Sequence, residues 1–274
     1  MKYRLLFFGC VIHTIVTFSQ GVENVGARSI SLGEASVALE DVYAYFSNPA
    51  GASAISSCEV AINYQNKFLI NEFQQRSMIL AVPLNKGVVS LGGMISGQSL
   101  FRSSRIGTGY TLKLSDIFSF GAQVNFQQVQ IQNVTSSNDL QAALGFLLNV
   151  SSRLKVGVAV FNLGAGLFDK RKTEIAPLLI RMGGNFSPSS RLNILAEIEK
   201  DVLHSHRLKC GVEYLPVENL SLRSGVVLNE QLVTFGVGYR SNKKLVVDVG
   251  GGWQQRLGWC PSIGIHYVFN NEDK

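Results

Sequence analysis

The sequence has few charged residues, and it has no long apolar run beyond its N-terminus. Charged residues make up 16% of the 274 residues, against about 25% in ordinary soluble domains. Hydrophobic residues make up 46%, which is too many for a disordered chain. Past residue 20, no stretch supplies the ~18 uninterrupted apolar residues of a membrane helix. The apolar residues must therefore be dispersed along the chain, and their spacing is the informative quantity.

Cysteine and histidine are scarce as well, and their spacing excludes several kinds of chemistry. Beyond the first twenty residues the cysteines lie far apart and lack any CxxC spacing: Cys58, Cys210 and Cys260. They indicate neither a disulfide framework nor a zinc site. The histidines of the same region, His204, His206 and His266, suggest no triad with a nucleophile and an acid. The sequence therefore predicts no enzyme, no catalytic residue, no metal site and no cofactor.

The first twenty residues, MKYRLLFFGCVIHTIVTFSQ, have the pattern of a secretory signal peptide. Lys2 and Arg4 precede an apolar run over 5–16, and a small-x-small cleavage site follows at 17–19. Removal of two basic residues lowers the formal net charge from +6 to +4. No basic cluster interleaved with aromatic residues remains, so nucleic acid is not a predicted partner.

From about residue 58 onward, apolar and polar residues alternate with a period of two. In the run from Phe118 to Phe126, FSFGAQVNF, every second residue is apolar. Successive side chains of a strand point to opposite faces, so each such run predicts a strand with one apolar face. Fourteen runs can be counted, with centres near Ile62, Leu80, Leu91, Tyr110, Val124, Leu144, Val158, Met182, Ile194, Cys210, Val226, Val237, Val247 and Ile265.

The connections between these strands alternate between short polar turns and longer links. Asn85-Lys86 and Ser115-Asp116 are short turns, whereas 69–75 and 164–176 are longer. An even number of strands with short turns on one rim is typical of outer-membrane barrels. A secreted β-sandwich also alternates, but the second face here is mostly glycine, serine, asparagine and glutamine rather than charge. We predict an all-β transmembrane antiparallel barrel of about fourteen strands in the bacterial outer membrane, with membrane lipid against its apolar face.

The sparse charges fall mainly on the second face of the strands, which turns toward the barrel lumen. Two interpretations remain open for them: a mutually paired lining that also bonds an internal segment, or a path for a polar or amphipathic ligand. Glycine is frequent on the same face, at 27 residues in the chain, and leaves room for such a segment. Position parity predicts these lumen-lining residues: Arg105, Lys113, Lys155, Arg181, Glu197, Glu199, Arg207, Lys209, Glu213, Arg223, Arg240, Asp248 and His266.

Residues 21–57 do not alternate, and they are rich in small residues. Asn48 is a good N-cap and Pro49 suits the first helical position, so a short helix is predicted to begin there. The glycines form no GxxxxGK[ST] phosphate loop. A structured segment ahead of a barrel fits best inside its lumen. We therefore predict a hatch over 21–57, a barrel over 58–269 and a polar tail over 270–274.

The stretch GARSISLGEASVALEDVYAYFSNPAGASAI resembles the N-terminal signature of FadL-like outer-membrane barrels, especially the PorV/PorQ group of Bacteroidetes-type bacteria. In that group the signature precedes a fourteen-stranded barrel. The FadL resemblance implies a hydrophobic ligand, and the PorV/PorQ resemblance implies a part in type IX protein secretion. The positions that carry the resemblance are Gly26, Arg28, Gly33, Glu34, Asp41, Asn48, Pro49, Ala50 and Gly51.

Three functions are compatible with these observations. The first is binding or transport of a small hydrophobic or amphipathic compound, with such a ligand or detergent in the lumen. In that case the hatch must shift or the wall must open, and Pro83 predicts a local break because it removes a ladder donor. The second is docking of cargo or of a secretion complex, which the short outer loops disfavour because interfaces commonly bury ~800 Å² per partner. The third is a structural partnership with another outer-membrane protein.

Overall fold

The computed structural model describes residues 24–133, 136–164, 177–201, 205–241 and 244–269. The predicted signal peptide and polar tail lie outside these residues, as does His204. Fourteen strands follow one another: β1 (Cys58–Asn66), β2 (Gln74–Leu84), β3 (Gly87–Gly97), β4 (Phe101–Lys113), β5 (Phe118–Ile131), β6 (Ser137–Ser151), β7 (Leu154–Leu163), β8 (Leu179–Ser189), β9 (Leu192–Asp201), β10 (Arg207–Val217), β11 (Leu220–Val227), β12 (Leu232–Ser241), β13 (Leu245–Gln254) and β14 (Gly258–Phe269).

Each strand pairs antiparallel with the next, and β14 pairs with β1, so the sheet closes into a barrel without a free edge. Closure satisfies the strand backbone groups from strand to strand, as a barrel in a bilayer requires. The predicted fourteen-stranded barrel is confirmed, and every predicted strand centre falls within a strand. Among the described residues, no helix combines the length and the apolar character needed to cross a membrane.

The outer face of the barrel is apolar because alternate residues of every strand point outward. Ile62, Met78 and Ile106 have 49%, 56% and 66% of their surface exposed on this face. Aromatic residues lie toward the strand ends: Trp253 is directly opposite Trp259. An outward apolar band with aromatic residues near its margins is the arrangement that faces lipid in transmembrane barrels.

The two ends of the barrel differ in the length of their connections. At one end, here called the lower end, tight turns join the strands, as between Leu84 and Gly87. At the opposite, upper end the connections are longer, as between β1 and β2, where two short 3₁₀ turns lie at Lys67–Leu69 and Asn71–Phe73. β7 also ends and β8 begins at this end, and residues 165–176 between them lie outside the described residues.

The predicted break at Pro83 is absent. Pro83 is opposite Val88, and the β2–β3 ladder runs without a register shift from Gln75 to Leu84. Proline is tolerated near a strand end, where loss of one donor disturbs few bonds. Register shifts occur elsewhere in the described strands, between β6 and β7, β8 and β9, and β10 and β11.

The residues ahead of β1 lie inside the barrel, and we call residues 24–57 the hatch. It contains helix α1 (Ala27–Ser31), helix α2 (Ala44–Ser47) and a 3₁₀ helix at Pro49–Ala54. The predicted helix start is confirmed, because the Asn48 Oδ1 accepts a hydrogen bond from the Ala50 N–H at 3.0 Å. Most of the hatch is buried, including Leu32 and Ala44, which have 0% of their surface exposed.

Candidate functional site

Inward-facing glycines bring the hatch backbone close to the barrel wall. A Cβ added to Gly121 would overlap the backbone of Pro49, and one added to Gly225 would overlap that of Gly33. Close approach of two backbones is a common reason for glycine in a strand. An added Cβ would also meet hatch backbone at Gly145, Gly157 and Gly211. It would meet a hatch side chain, that of Tyr45 or Ser31, at Gly92, Gly107, Gly236 and Gly250.

The lower part of the hatch is joined to the wall through Arg28. Its guanidinium donates to Glu213 through Nε at 3.0 Å and through Nη2 at 2.7 Å, and to Asp41 through Nη1 at 2.9 Å. Glu213 also accepts from Arg223, which in turn donates to Asp248. The two parallel hydrogen bonds from Arg28 to Glu213 fix the orientation of the guanidinium as well as its distance from the carboxylate. We call these five residues the lower charge cluster; it spans the hatch and strands β10, β11 and β13.

A second group of charges joins the middle of the hatch to the wall near the upper end. The Arg207 guanidinium donates to three carboxylates, those of Glu34, Glu199 and Glu230, at 2.6–3.0 Å. Behind it lie Arg181 and Lys209, each with 0% of its side chain exposed and each paired with Glu199 at 2.8 and 2.7 Å. Buried charges at this depth require such pairing, because desolvation of an unpaired ion is costly.

Glu197 also belongs to this second group and binds the hatch backbone directly. We call the group the upper charge cluster; it consists of Glu34, Arg181, Glu197, Glu199, Arg207, Lys209 and Glu230. One of its oxygens accepts from the backbone N–H groups of Ser36 and Val37 at 2.7 and 2.8 Å. Its other oxygen accepts from Lys209 Nζ at 2.9 Å. The hatch is therefore bound by its main chain as well as by its side chains.

The charges also set the protonation of the hatch residues. Burial by itself would raise the pKa of the Glu34 carboxyl, but the charges of Arg207 and Lys209 outweigh burial and lower that pKa to about 2. Burial by itself would lower the pKa of Arg28, but Glu213 and Asp41 hold it above its ordinary value. Both groups are therefore charged at neutral pH, and both ion pairs are formed.

The opposite wall, formed by β3 to β6, holds the hatch mainly through uncharged groups. The Thr111 hydroxyl donates to the Pro49 carbonyl at 2.5 Å, and the Tyr45 hydroxyl donates to Asn125 Oδ1 at 2.9 Å. The Asn48 amide donates to the carbonyls of Val37 and Phe146, at 2.7 and 3.0 Å. Burial raises the pKa of Tyr45 to about 12, so its hydroxyl remains a donor.

A cavity of about 460 Å³ lies above the hatch, open toward the upper end; we call it the upper cavity. Its floor includes Asn24, Ile30 and Glu34 of the hatch, and its walls include Gln65, Phe68, Leu179, Arg207, Leu232 and Cys260. Phe68 and Leu69 have φ of 61° and 57°, a left-handed conformation that bulky residues rarely adopt. The link between β1 and β2 thus turns sharply where Phe68 reaches the cavity.

A second cavity of about 390 Å³, the lower cavity, lies below the hatch. Its lining is more polar and includes Arg28, Asp41 and Tyr43 of the hatch together with Arg240 and His266 of the wall. The upper and lower cavities take their hatch residues from different positions, so the hatch lies between them.

The predicted lumen residues fall into distinct places. The two charge clusters contain Arg181, Glu197, Glu199, Arg207, Lys209, Glu213, Arg223 and Asp248. Three others contact different partners: Lys155 pairs with Glu40 of the hatch, His266 contacts Glu59 at 2.8 Å, and Arg105 donates to Gln127 at 3.2 Å on the uncharged wall. The remaining two lie nearest solvent at the lower end: Lys113, with 52% of its side chain exposed and paired with Asp116 of the turn, and Arg240 in the lower cavity.

The predicted hatch motif contributes Arg28, Glu34 and Asp41 as ion-pair partners, Asn48 as a cap and Gly33 as a point of backbone contact. Sequence analysis missed Asn24, Gln65 and Thr234, which line the upper cavity. Gln65 and Thr234 occupy alternate strand positions that face the lumen, but the prediction of lumen-lining residues included only charged residues and His266. Position parity applied to uncharged polar residues would have found both of them.

Comparison of the sequence with protein-family models gives no match, and no curated protein sequence matches it. Several solved structures are similar in fold. The CymD monoaromatic hydrocarbon channel superposes with a TM-score of 0.72 at 11% identity, over 92% of this chain and 99% of that chain. The Ralstonia pickettii toluene transporter TbuX gives 0.69 at 11% identity, over 91% and 99%. A Pseudomonas aeruginosa FadL homologue gives 0.65 at 12% identity, over 91% and 99%. The chain thus has the fold of FadL-type channel barrels.

Proposed function

We propose that this protein is a bacterial outer-membrane barrel that binds a small hydrophobic or amphipathic compound and passes it across the membrane. The observation that carries the proposal is the stack of two cavities inside one closed barrel, with the hatch between them. A concave site of about 300–1,000 Å³ is the usual size for binding a small molecule. Passage from the upper cavity to the lower one requires the hatch to move.

The ion pairs of the hatch support the proposal because they adjoin both cavities. Glu34 lines the upper cavity and Arg28 lines the lower one, and these two residues are also the hatch's ion-pair partners to β10. A shift of the segment between them would therefore connect the cavities and break the same bonds. The Arg28–Glu213 and Glu34–Arg207 ion pairs would therefore control the passage of a ligand from one cavity to the other.

The apolar outer face and the similar structures support the remaining parts of the proposal. The outward belt suits a bilayer and makes membrane lipid the surrounding partner. Of the three proteins of similar fold, one is named as a monoaromatic hydrocarbon channel, one as a toluene transporter and one as a FadL homologue. Compounds of that chemical class are therefore the first to test, and we propose transport rather than catalysis.

The test is toluene uptake across an outer membrane with a lipopolysaccharide outer leaflet, because toluene crosses a plain phospholipid bilayer rapidly without a protein. Cells that carry the protein should take up dilute toluene faster than cells of the same strain without it. Arg28→Ala should raise the rate, because it removes a bond that holds the hatch. A variant at the lower rim, Lys113→Ala, should leave the rate unchanged. Equal uptake with and without protein would contradict transport.

Docking to a type IX secretion complex, the function that the PorV/PorQ resemblance implies, stays a prediction from the hatch motif alone. Mild-detergent purification from the native bacterium distinguishes it from the proposed function. Recovery of a bound apolar compound without protein partners supports transport. Stoichiometric recovery of secretion components, with no compound bound, would favour docking instead.

A further inference from the structure

Two residues that line the upper cavity have buried amide oxygens to which no described residue donates a hydrogen bond. These are Oδ1 of Asn24 and Oε1 of Gln65, in side chains with 7% and 3% of the residue exposed. Both residues line the upper cavity. A buried acceptor without a donor is energetically costly, so a ligand that supplies a donor here removes a penalty that an entirely apolar ligand leaves in place.

The orientation of the Asn24 amide is set by its partner. The Asn24 Nδ2 group donates to the Glu34 carboxylate at 2.7 Å, and an ionised carboxylate can only accept. The pKa of Glu34, lowered to about 2, keeps that carboxylate ionised at neutral pH. The oxygen is therefore the atom of the Asn24 amide that lacks a partner, and it requires a donor.

The Arg207 cation of the upper cavity is not available to an anionic ligand. The Arg207 guanidinium uses Nε, Nη1 and Nη2 on three carboxylates, those of Glu34, Glu199 and Glu230. The described lining contains four carboxylates, of Glu34, Glu199, Asp201 and Glu230, and two cations, Lys67 and Arg207. Directly behind it, Arg181 and Lys209 pair with Glu199, and Lys209 also pairs with Glu197. One net negative charge remains around the cavity when these three residues are included. A carboxylate ligand would meet repulsion here, because like charges at close range disfavour binding.

The rest of the cavity accepts an apolar body. Ile30, Phe68, Leu179 and Leu232 contribute apolar side chains to its lining. The volume of about 460 Å³ falls in the range of small-molecule sites. Apolar surface and two acceptors in one small space match a compact compound that is apolar over most of its length and has one hydroxyl.

We propose that the upper cavity selects uncharged apolar compounds that carry a hydrogen-bond donor, such as an alkylphenol, over both the pure hydrocarbon and the carboxylate of the same shape. The inference rests on the proposed function and specifies its substrate class. Asn24 and Gln65 are the residues assigned to the donor. The selection has two parts: the open acceptors favour the hydroxyl over a hydrogen, and the net negative lining disfavours the carboxylate.

Three ligands of nearly equal shape test the proposal: toluene, p-cresol and 4-methylbenzoate. Binding to the detergent-purified full chain is measured by titration calorimetry, with protein-free micelles of the same detergent subtracted. We expect p-cresol to bind roughly tenfold more tightly than toluene, the effect of about one hydrogen bond, and 4-methylbenzoate to bind most weakly.

Two cavity variants and one matched control locate the effect. Gln65→Met and Asn24→Leu should each reduce the preference for p-cresol over toluene several-fold while toluene still binds. Gln123→Met removes an equally buried inward amide, with 4% of the residue exposed, that lines neither cavity, and should keep the full preference. Heat-modified mobility on gels confirms that each variant is folded.

The outcomes separate this inference from the proposed function. Equal binding of toluene and p-cresol, or tightest binding of 4-methylbenzoate, would overturn the selectivity while leaving transport intact. A preference for p-cresol that survives in both cavity variants would overturn the assignment to Asn24 and Gln65. Binding of none of the three compounds would overturn both the inference and the proposed function.

Discussion

Arg28 of the hatch and Glu213 of β10, which are 185 residues apart, form a bidentate ion pair. The Arg28 Nε and Nη2 atoms lie 3.0 and 2.7 Å from the two Glu213 carboxylate oxygens. The Glu213 carboxylate is shared with Arg223, so one acid lies between a cation of the hatch and a cation of the wall. The pair joins an element that the proposed function requires to move with a wall that closure holds in place. Its strength therefore bears on how readily the hatch shifts.

Arg28→Ala should destabilise the seated hatch by about 1–3 kcal/mol. Loss of one partner of a fully buried pair costs about 3–5 kcal/mol, and the value is smaller here because 24% of the Arg28 side chain is exposed and Arg223 still pairs with Glu213. Urea unfolding in lipid vesicles measures the loss, and planar-bilayer recordings should show more frequent openings. Lys113→Ala, which removes an exposed pair with Asp116, is the control. Equal effects of the two variants would contradict the role of the Arg28 pair.

Gly121→Ala should prevent the hatch from seating against β5, because the added Cβ overlaps the backbone of Pro49. Backbone cannot move aside as a flexible side chain can, so we expect a loss of several kcal/mol or a hatch that is displaced. Protease sensitivity of the hatch in the folded, heat-modifiable barrel measures the displacement. Gly109→Ala is the matched control, since its Cβ would meet only ordinary contacts at 3.5 Å or more. A protected hatch in Gly121→Ala would show that the close approach is not required.

The ion pair of Glu34 with Arg207 should withstand mild acid. The pKa of Glu34 is lowered from 4.5 to about 2, so its stabilisation is fully present above about pH 5 and is lost as the pH falls from about 4.5 through about 2. A shift of this size corresponds to at most about 3 kcal/mol. Glu34→Gln should therefore lower the urea midpoint of unfolding at pH 7 and pH 5 by the same amount, and by less at pH 3. A difference that already shrinks between pH 7 and pH 5 would contradict this assignment.

The barrel should lie in the outer membrane with its longer connections outside the cell. Short turns face the periplasm in bacterial outer-membrane barrels, so the upper end, which includes Arg256, is expected to face outward. A membrane-impermeant thiol reagent on intact cells should label a cysteine at Arg256 and should not label one at Lys86, in the tight β2–β3 turn. Both positions are exposed, so the labelling reports topology rather than burial. Labelling at Lys86 alone would reverse the orientation.

Most of the barrel was predictable from residue spacing, because a strand records its two faces in the sequence. Each of the fourteen predicted centres lies in a strand. Alternation of positions also marked Arg181 and Lys209 as inward residues, and both have 0% of their surface exposed. The helix start at Pro49 was equally local, because a cap and a fixed proline φ act within a few residues. The prediction of a break at Pro83 was wrong because proline removes only one hydrogen-bond donor. The other nine residue pairs of the β2–β3 ladder hold the two strands in register.

The sequence by itself determined the strands, their lipid and lumen faces, and the small-residue segment ahead of them, since each depends on neighbours in the chain. Only the tertiary structure decided which inward charge meets which. Glu34 pairs with Arg207 across 173 residues, and Arg28 pairs with Glu213 across 185. Such pairings depend on where the hatch lies around the closed ring of strands, and parity carries no information about position around that ring. The open acceptors of Asn24 and Gln65 are likewise a property of the assembled cavity, because an amide oxygen lacks a donor only in relation to everything packed around it.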